Sequence, residues 1–152
     1  MQVDWVIFMG VLELSFKIVP IKKEDIFAIN KIIKSEVKKD QTTNIKTHIR
    51  RGIAYKMIDE KSKNIAAFCL AYELDTHFSL SYYYVFEDYR RKLPSIFFFM
   101  FCLEKMKNKN IYVKKNKNYD QYKTYFTQIN ENILRFQGLK DNAKWADLLK
   151  VL

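Results

Sequence analysis

Three groups of residues are of the types that do chemistry. The first is a compact basic cluster, Arg90-Arg91-Lys92, in the polar turn EDYRRKLP, directly ahead of an apolar run that starts at Ser95. Basic side chains ahead of a helix suit an anion, because the backbone N–H groups and the helix dipole there already favour negative charge. The second is the stretch Lys105 to Lys117, with six lysines and no acid. Such a run attracts nucleic acid or an acidic protein. These lysines straddle a helix end and a strand, however, and read first as a solvated face. No nucleic-acid motif accompanies them, although Tyr82, Tyr83 and Tyr84 are of a type that stacks bases. The third group is scattered: two histidines, His48 and His77, and two cysteines, Cys69 and Cys102. The cysteines sit in the apolar runs AAFCLAY and FMFCLEK, with no C-x-x-C or Cys/His ligand spacing, so no metal site is expected. The expectation is two buried free thiols in a reducing compartment.

The elements that must position these residues follow from periodicity. SFKIVP (15–20) reads as a strand stopped by Pro20. Ile26, Ile29, Ile33 and Val37 make one apolar stripe on a helix of roughly residues 24–38, acidic at its start and closed by Lys38-Lys39. Residues 40–51 are polar and form a loop or a short second helix. GIAYKMI (52–58) and NIAAFCLAYE (64–73) read as a hairpin across the polar turn DEKSK. The second of these strands is apolar on both faces, which places it centrally in a sheet covered on both sides. FSLSYYYVF (78–86) is a further strand. SIFFFMFCLEKMK (95–107) fits a helix that is apolar nearly all round and so must be buried on more than one face. NIYVKK (110–115) is a short strand, 118–129 a helix with Tyr122, Tyr125, Phe126 and Ile129 on one side, and NILRFQ (132–137) a last strand before Gly138. Asp141 or Asn142 caps a final helix with Trp145, Leu148, Leu149 and Leu152 on one stripe. The expected fold class is therefore α/β (α+β), with a mixed, mostly antiparallel central sheet and helices on both faces.

Bulk properties bound the rest. At 152 residues the chain suits one domain with a single core. We divide it into a strand-like N-terminal extension (1–14), a domain (15–139) and a C-terminal helix packed on that domain (140–152). No apolar run reaches 18 residues, so no membrane span is expected. The stretch Trp5 to Leu12 lacks a basic flank and a small-residue cleavage site, so it reads as a structured extension in a cytoplasmic protein. Formal net charge is +10, but lysine supplies 22 of the 27 basic residues, and Asn, Ile, Tyr and Phe are abundant too, as A+T-rich codon usage produces. Residues 1–76 hold 13 basic and 10 acidic residues, and residues 77–152 hold 14 and seven, so the excess lies in the half that carries the Arg90–Lys92 cluster.

This order of elements, with its local sequence, resembles the GNAT superfamily of acyl-CoA-dependent N-acyltransferases over roughly residues 15–137. FKIVPIKKEDIFAINKIIKS is similar to that family's opening strand, acidic turn and first helix. AYKMIDEKSKNIAAFCLAYEL is similar to its strand-turn-strand, with Ile65-Ala66-Ala67-Phe68 in place of an Ile-Val-Gly-Phe-like run. The most specific segment is Val85 to Ser95, where the family reads Val-x-Pro-Glu-Tyr-Arg-Gly-Lys-Gly-x-Gly. Val85, Tyr89, Arg90 and Lys92 match and Asp88 is a like-for-like acid. Arg91, Leu93 and Ser95 stand at the three glycine positions, and Pro94 removes an N–H.

The resemblance implies a cofactor, acetyl-CoA or another acyl-CoA, and an amine acceptor, either a small molecule or a protein. Val85, Arg90, Arg91, Lys92, Leu93 and Ser95 would contact the cofactor. So would Asn118, which falls where the family has an Asn after its fifth strand. Tyr125 falls at the spacing of the tyrosine that protonates the leaving thiolate, with Tyr122 as the alternative if the helix register shifts. The family's carbonyl meets a backbone N–H on the fourth strand, here near Tyr83 to Val85. For the base, Glu73 is the first candidate and His77 the second, since imidazole acts near neutrality without a large pKa shift. His48, on the substrate side by this resemblance, reads as a solvated loop residue. The glycine-poor loop motivates the alternative, a catalytically inactive GNAT-fold module that binds a protein or nucleic acid through its basic face. The C-terminal helix covers the Phe-rich helix or mediates a homodimer.

Overall fold

A computed structural model describes residues 15–37, 45–115 and 126–136. The expectations for residues 1–14, for Asn118, Tyr122 and Tyr125, and for the C-terminal helix lie outside the described residues. In chain order the elements are β1 (Phe16–Pro20), a 3-10 turn (Lys23–Asp25), α1 (Ile26–Val37), α2 (Ile45–Arg51), β2 (Gly52–Asp59), β3 (Ile65–Glu73) and β4 (His77–Val85). A second 3-10 turn (Glu87–Tyr89), α3 (Leu93–Lys105), β5 (Asn110–Lys114), β6 (Phe126–Gln128) and β7 (Ile133–Phe136) follow. The strands form one seven-stranded sheet in the order β1-β2-β3-β4-β5-β7-β6. Every pairing is antiparallel except β4 with β5. The mixed sheet and its helical layers are those expected from the sequence.

β3 explains the two layers. Its six residues Ala66 to Ala71 are all buried. Phe68 and Leu70 join Ile29 and Ile33 of α1 and Ile45 of α2 in one core. Ala67, Cys69 and Ala71 join Phe97, Phe98, Cys102 and Met106 of α3 in the other. Small side chains line the strand where it meets the Phe-rich helix, and large ones where it meets isoleucines, so each layer fills at close packing. Both cysteines are free and buried. Burial, and a hydrogen bond with Cys69, push the Cys102 thiol well above its usual range, which keeps it protonated and inert.

The first 3-10 turn is tied to the sheet by charge. The Asp25 carboxylate accepts from the Lys22 N–H at 2.8 Å and from Lys56 Nζ at 2.7 Å, with both ion-pair side chains largely buried. In the C-terminal part, the sequence pattern and the fold differ. Residues 126–128, expected at the end of a helix, form β6 instead. Phe126 pairs with Phe136 of β7 and packs edge-on to it at 5.5 Å. The connection is a tight turn in which Asn130 Oδ1 accepts from the N–H groups of Asn132 and Ile133. An Asx turn of this kind competes with helix continuation.

α2 enters β2 without a loop, and Gly52 makes this junction possible. A Cβ there would collide with the Ala71 carbonyl oxygen on β3 and lie 3.2 Å from the His48 carbonyl oxygen. Gly52→Ala should therefore destabilise the protein by about 1–3 kcal/mol, seen as a lower urea midpoint at an unchanged m-value. An unaltered midpoint would refute this account of the junction.

Candidate active site

The site begins where one ladder of β4 stops and the other slips by a residue. β4 and β5 pair in parallel from His77–Asn110 to Leu80–Val113, and β4 then runs on to Val85 without a described partner on that side. On the other side, Leu70 of β3 faces Tyr82 and Ala71 faces Leu80, so Ser81 is an extra residue in a bulge. Past this point the Phe86 N–H bonds the Ala66 carbonyl at 2.9 Å. Strand alternation then turns the main-chain groups of Tyr83 and Val85 away from β3 and toward the gap. A cavity of about 450 Å³ opens here on the α2 side of the sheet, lined by His48, Tyr72, Ser81, Tyr82, Tyr112 and Lys114 among others. On the α3 side the gap is bridged by rings. Phe99 stands edge-on to Tyr83 at 5.4 Å and to Phe136 at 6.1 Å.

The loop between β4 and α3 is braced by its own side chains. Arg90 Nε donates to the Val85 carbonyl at 2.7 Å, with its guanidinium over the Tyr84 ring. Lys92 Nζ donates to the Asp88 carbonyl at 2.6 Å. Tyr83 donates its hydroxyl to the Ser95 carbonyl at 3.0 Å, fixing the start of α3 on β4. Burial pushes the Tyr83 phenol well up, so it stays a donor. Arg91 has φ of 59°, the left-handed conformation that glycine takes without cost. Lys92, the residue just before α3, makes no side-chain capping bond, and Pro94 sits in the first turn, where its missing N–H has no helical partner to lose. Ser95 is 0% exposed and donates its hydroxyl to the Lys92 carbonyl, whereas Leu93 is 53% exposed.

The other sequence candidates lie apart. Tyr72 lines the cavity, so Glu73, next along β3, projects from the opposite face, where it pairs with Lys109 at 3.1 Å. His77 opens β4, roughly 13 Å along the strand from Ser81 by strand rise. It hydrogen-bonds Thr76 at 2.8 Å and meets the cavity only through Tyr112, whose ring is 4.8 Å away. His48, read from sequence as a solvated loop residue, is 1% exposed in α2. Ile45 and His48 are buried together, one helical turn apart, but the polar run around them carries no sequence pattern that marks the pair. Among the described residues no group of three or more His, Cys, Asp or Glu is placed to hold a metal. No helix among them is long and apolar enough to cross a membrane.

Solved structures share this fold. An acetyltransferase of the GNAT family from Staphylococcus aureus Mu50 matches with a TM-score of 0.66 at 14% identity, covering 80% of this chain and 98% of that one. The fold is that of the GNAT acetyltransferases. A ribosomal-protein-S18-alanine N-acetyltransferase from Escherichia coli matches the GNAT fold of this chain at 13% identity with a TM-score of 0.63, covering 85% of this chain and 99% of its own. Arabidopsis thaliana NAA60 in complex with acetyl-CoA matches at 10% identity and a TM-score of 0.59, covering 80% and 98%. No family model and no curated protein matches the sequence, so the likeness rests on structure.

Two outcomes follow from the loop. Arg91→Gly removes left-handed strain but loosens the unfolded chain, and should stabilise by about 0.5–1 kcal/mol in urea unfolding; a loss of stability would refute the strain. Tyr89 donates to Asp59 Oδ2 at 2.7 Å, tying the loop to the end of β2. That bond, with the Lys61 N–H, lowers the Asp59 pKa, and it raises the Tyr89 pKa. A lowered carboxylate stabilises above its unfolded pKa and ceases to as pH falls through the folded one. A raised phenol stabilises below its unfolded pKa and ceases to as pH rises through the folded one. Tyr89→Phe should therefore lower the Tm at pH 7, with the difference narrowing as pH falls through and below the ordinary carboxylate range. A constant difference across that range would show that the hydroxyl acts independently of the Asp59 charge, and no difference at pH 7 would show that the bond contributes nothing.

Proposed function

We propose that this chain is an N-acyltransferase that moves an acetyl or other acyl group from a coenzyme A thioester to an amine. One observation carries the reading: β4 parts from β5 at a bulge, beside a basic loop that opens a 13-residue helix. The loop residues fit a diphosphate. Arg91 adopts the glycine-like turn, the first turn of α3 has no side-chain cap, and exposed Leu93 leaves the approach open. Arg91 and Lys92, with the Leu93 N–H, would hold the diphosphate, while Arg90 keeps the loop in shape through the Val85 carbonyl. When bound, acyl-CoA supplies an activated acyl group. The Tyr83 and Val85 N–H groups, turned toward the gap, are the donors for a carbonyl oxygen that becomes negative. Tyr125 and Asn118 keep the roles that the resemblance implies, as acid for the thiolate and as a cofactor contact.

A second reading is a GNAT-fold module without cofactor, binding a protein or nucleic acid through its basic face. The Phe99 bridge between Tyr83 and Phe136 favours it, since it fills the α3 side of the gap. Titration with acetyl-CoA, followed by thermal shift and calorimetry, separates the two. The enzyme reading expects stabilisation near 2.7 kcal/mol at a hundredfold excess over Kd, with loss of binding in an Arg91→Glu, Lys92→Glu double variant. No response at millimolar acetyl-CoA, with salt-sensitive retention on RNA or DNA, would sink the enzyme reading and support the module.

A further inference from the structure

His48 and Ser81 form a pair that packing alone does not explain. The imidazole is buried between α2 and the sheet, its ring 4.1 Å from that of Tyr72, and its Nε2 lies 2.8 Å from Ser81 Oγ. Burying a polar ring costs free energy that a hydrocarbon of the same shape would not incur. Ser81 is exposed, yet it contacts that buried ring, because the bulge turns it out of the pleat. The two residues are 33 positions apart in sequence and meet where the β4–β5 ladder stops and the β3–β4 ladder slips by one residue. The hydroxyl therefore presents one side to the cavity of about 450 Å³ and the other to a base sealed from bulk water.

We propose that Ser81 and His48 are the proton relay that receives the proton of the acceptor amine. This rests on the acyltransferase reading above. As the amine nitrogen bonds to the acyl carbon and the carbon–sulfur bond breaks, the nitrogen's proton passes to Ser81 Oγ. The hydroxyl's own proton moves to His48 Nε2, giving an imidazolium. The departing thiolate takes a proton from solvent or from an acid on the chain. Ser81 touches the amine, and His48 acts through it. The relay requires His48 to carry its hydrogen on Nδ1 before reaction and to offer Nε2 as an acceptor. The titratable and charged groups around the pair are Tyr72 on β3, Tyr82 on β4, Tyr112 and Lys114 on β5, and the exposed Lys46, Arg50 and Arg51 of α2 itself.

The first test needs no turnover. Long-range ¹H–¹⁵N spectra of the histidine-labelled full chain at neutral pH should show His48 Nε2 unprotonated, with its shift moved in Ser81→Ala; an Nε2–H tautomer overturns the relay. The second test is kinetic. Ser81→Ala, a change at an exposed position, and His48→Gln should each lower kcat by about 10²–10⁴-fold, with KM for acetyl-CoA within twofold. The acid limb of the kcat/KM profile should disappear in His48→Gln, and Ser81→Thr should restore most of the rate. If His48→Gln does not fold, Ser81→Ala and its Thr rescue still decide the matter. Intact acetyl-CoA binding with unchanged kcat in Ser81→Ala overturns the relay alone. Absent acetyl-CoA binding overturns the acyltransferase reading and the relay with it, whatever tautomer the spectra show.

Discussion

The hydrogen-bond ladder between β4 and β5 ends at Leu80–Val113, and the rest of the site depends on that ending. A parallel pair needs a crossover, and α3 supplies it, so the pair is held from one face by a helix rich in phenylalanine. Phe99 of that helix stands between Tyr83 on β4 and Phe136 on β7. Its ring fills the space beneath the gap, where the β4 backbone has no ladder partner on the β5 side among the described residues. On the opposite face the bulge at Ser81 adds local twist and turns β4 further from β5. Aromatic packing on one side and a bulge on the other therefore keep open a cavity that simple continuation of the pairing would close.

The same geometry accounts for a loop that lacks glycine. Where the chain needs a left-handed turn, Arg91 adopts it at some cost, and contacts around it hold the conformation: Arg90 to the Val85 carbonyl, Lys92 to the Asp88 carbonyl, Tyr83 to the Ser95 carbonyl, Tyr89 to Asp59. Strained residues persist where their surroundings over-determine them. Two of the three cations in the cluster thus serve main-chain carbonyls of the loop itself. The side chain of Arg91 is exposed and has no such partner among the described residues.

Much of this was legible in the sequence, and the illegible parts have definite causes. β3 announced itself because both of its faces are apolar, a pattern only a doubly covered strand tolerates. The Phe-rich run announced a helix buried on several sides. The resemblance in Val85 to Ser95 located the loop, although it could not show that Arg91 would take the glycine conformation. The bulge left a fainter mark. Residues buried toward α3 fall at 78 and 80, then at 83 and 85, so the alternation slips by one between them. Three consecutive tyrosines hide the slip, because a tyrosine suits either face. Residues 126–128 fit a helical stripe through Phe126 and Ile129 as well as a strand, and the Asn130 turn decides for a hairpin.

The burial of His48 is illegible in the sequence for a different reason. In a run of polar residues a lone histidine has no pattern of its own, and what buries it lies elsewhere: Gly52, which lets α2 press onto the Ala71 main chain, and Ser81, displaced toward it by the bulge. Each of those features is unremarkable alone. Together they place an imidazole and a hydroxyl beside a cavity, on the face opposite Glu73, while His77 remains at the closed end of the strand pair. Sequence spacing ranks candidates by residue type. The choice among them here is made by strand parity, which assigns Tyr72 and Glu73 to opposite faces, and by the single residue where β4 leaves register.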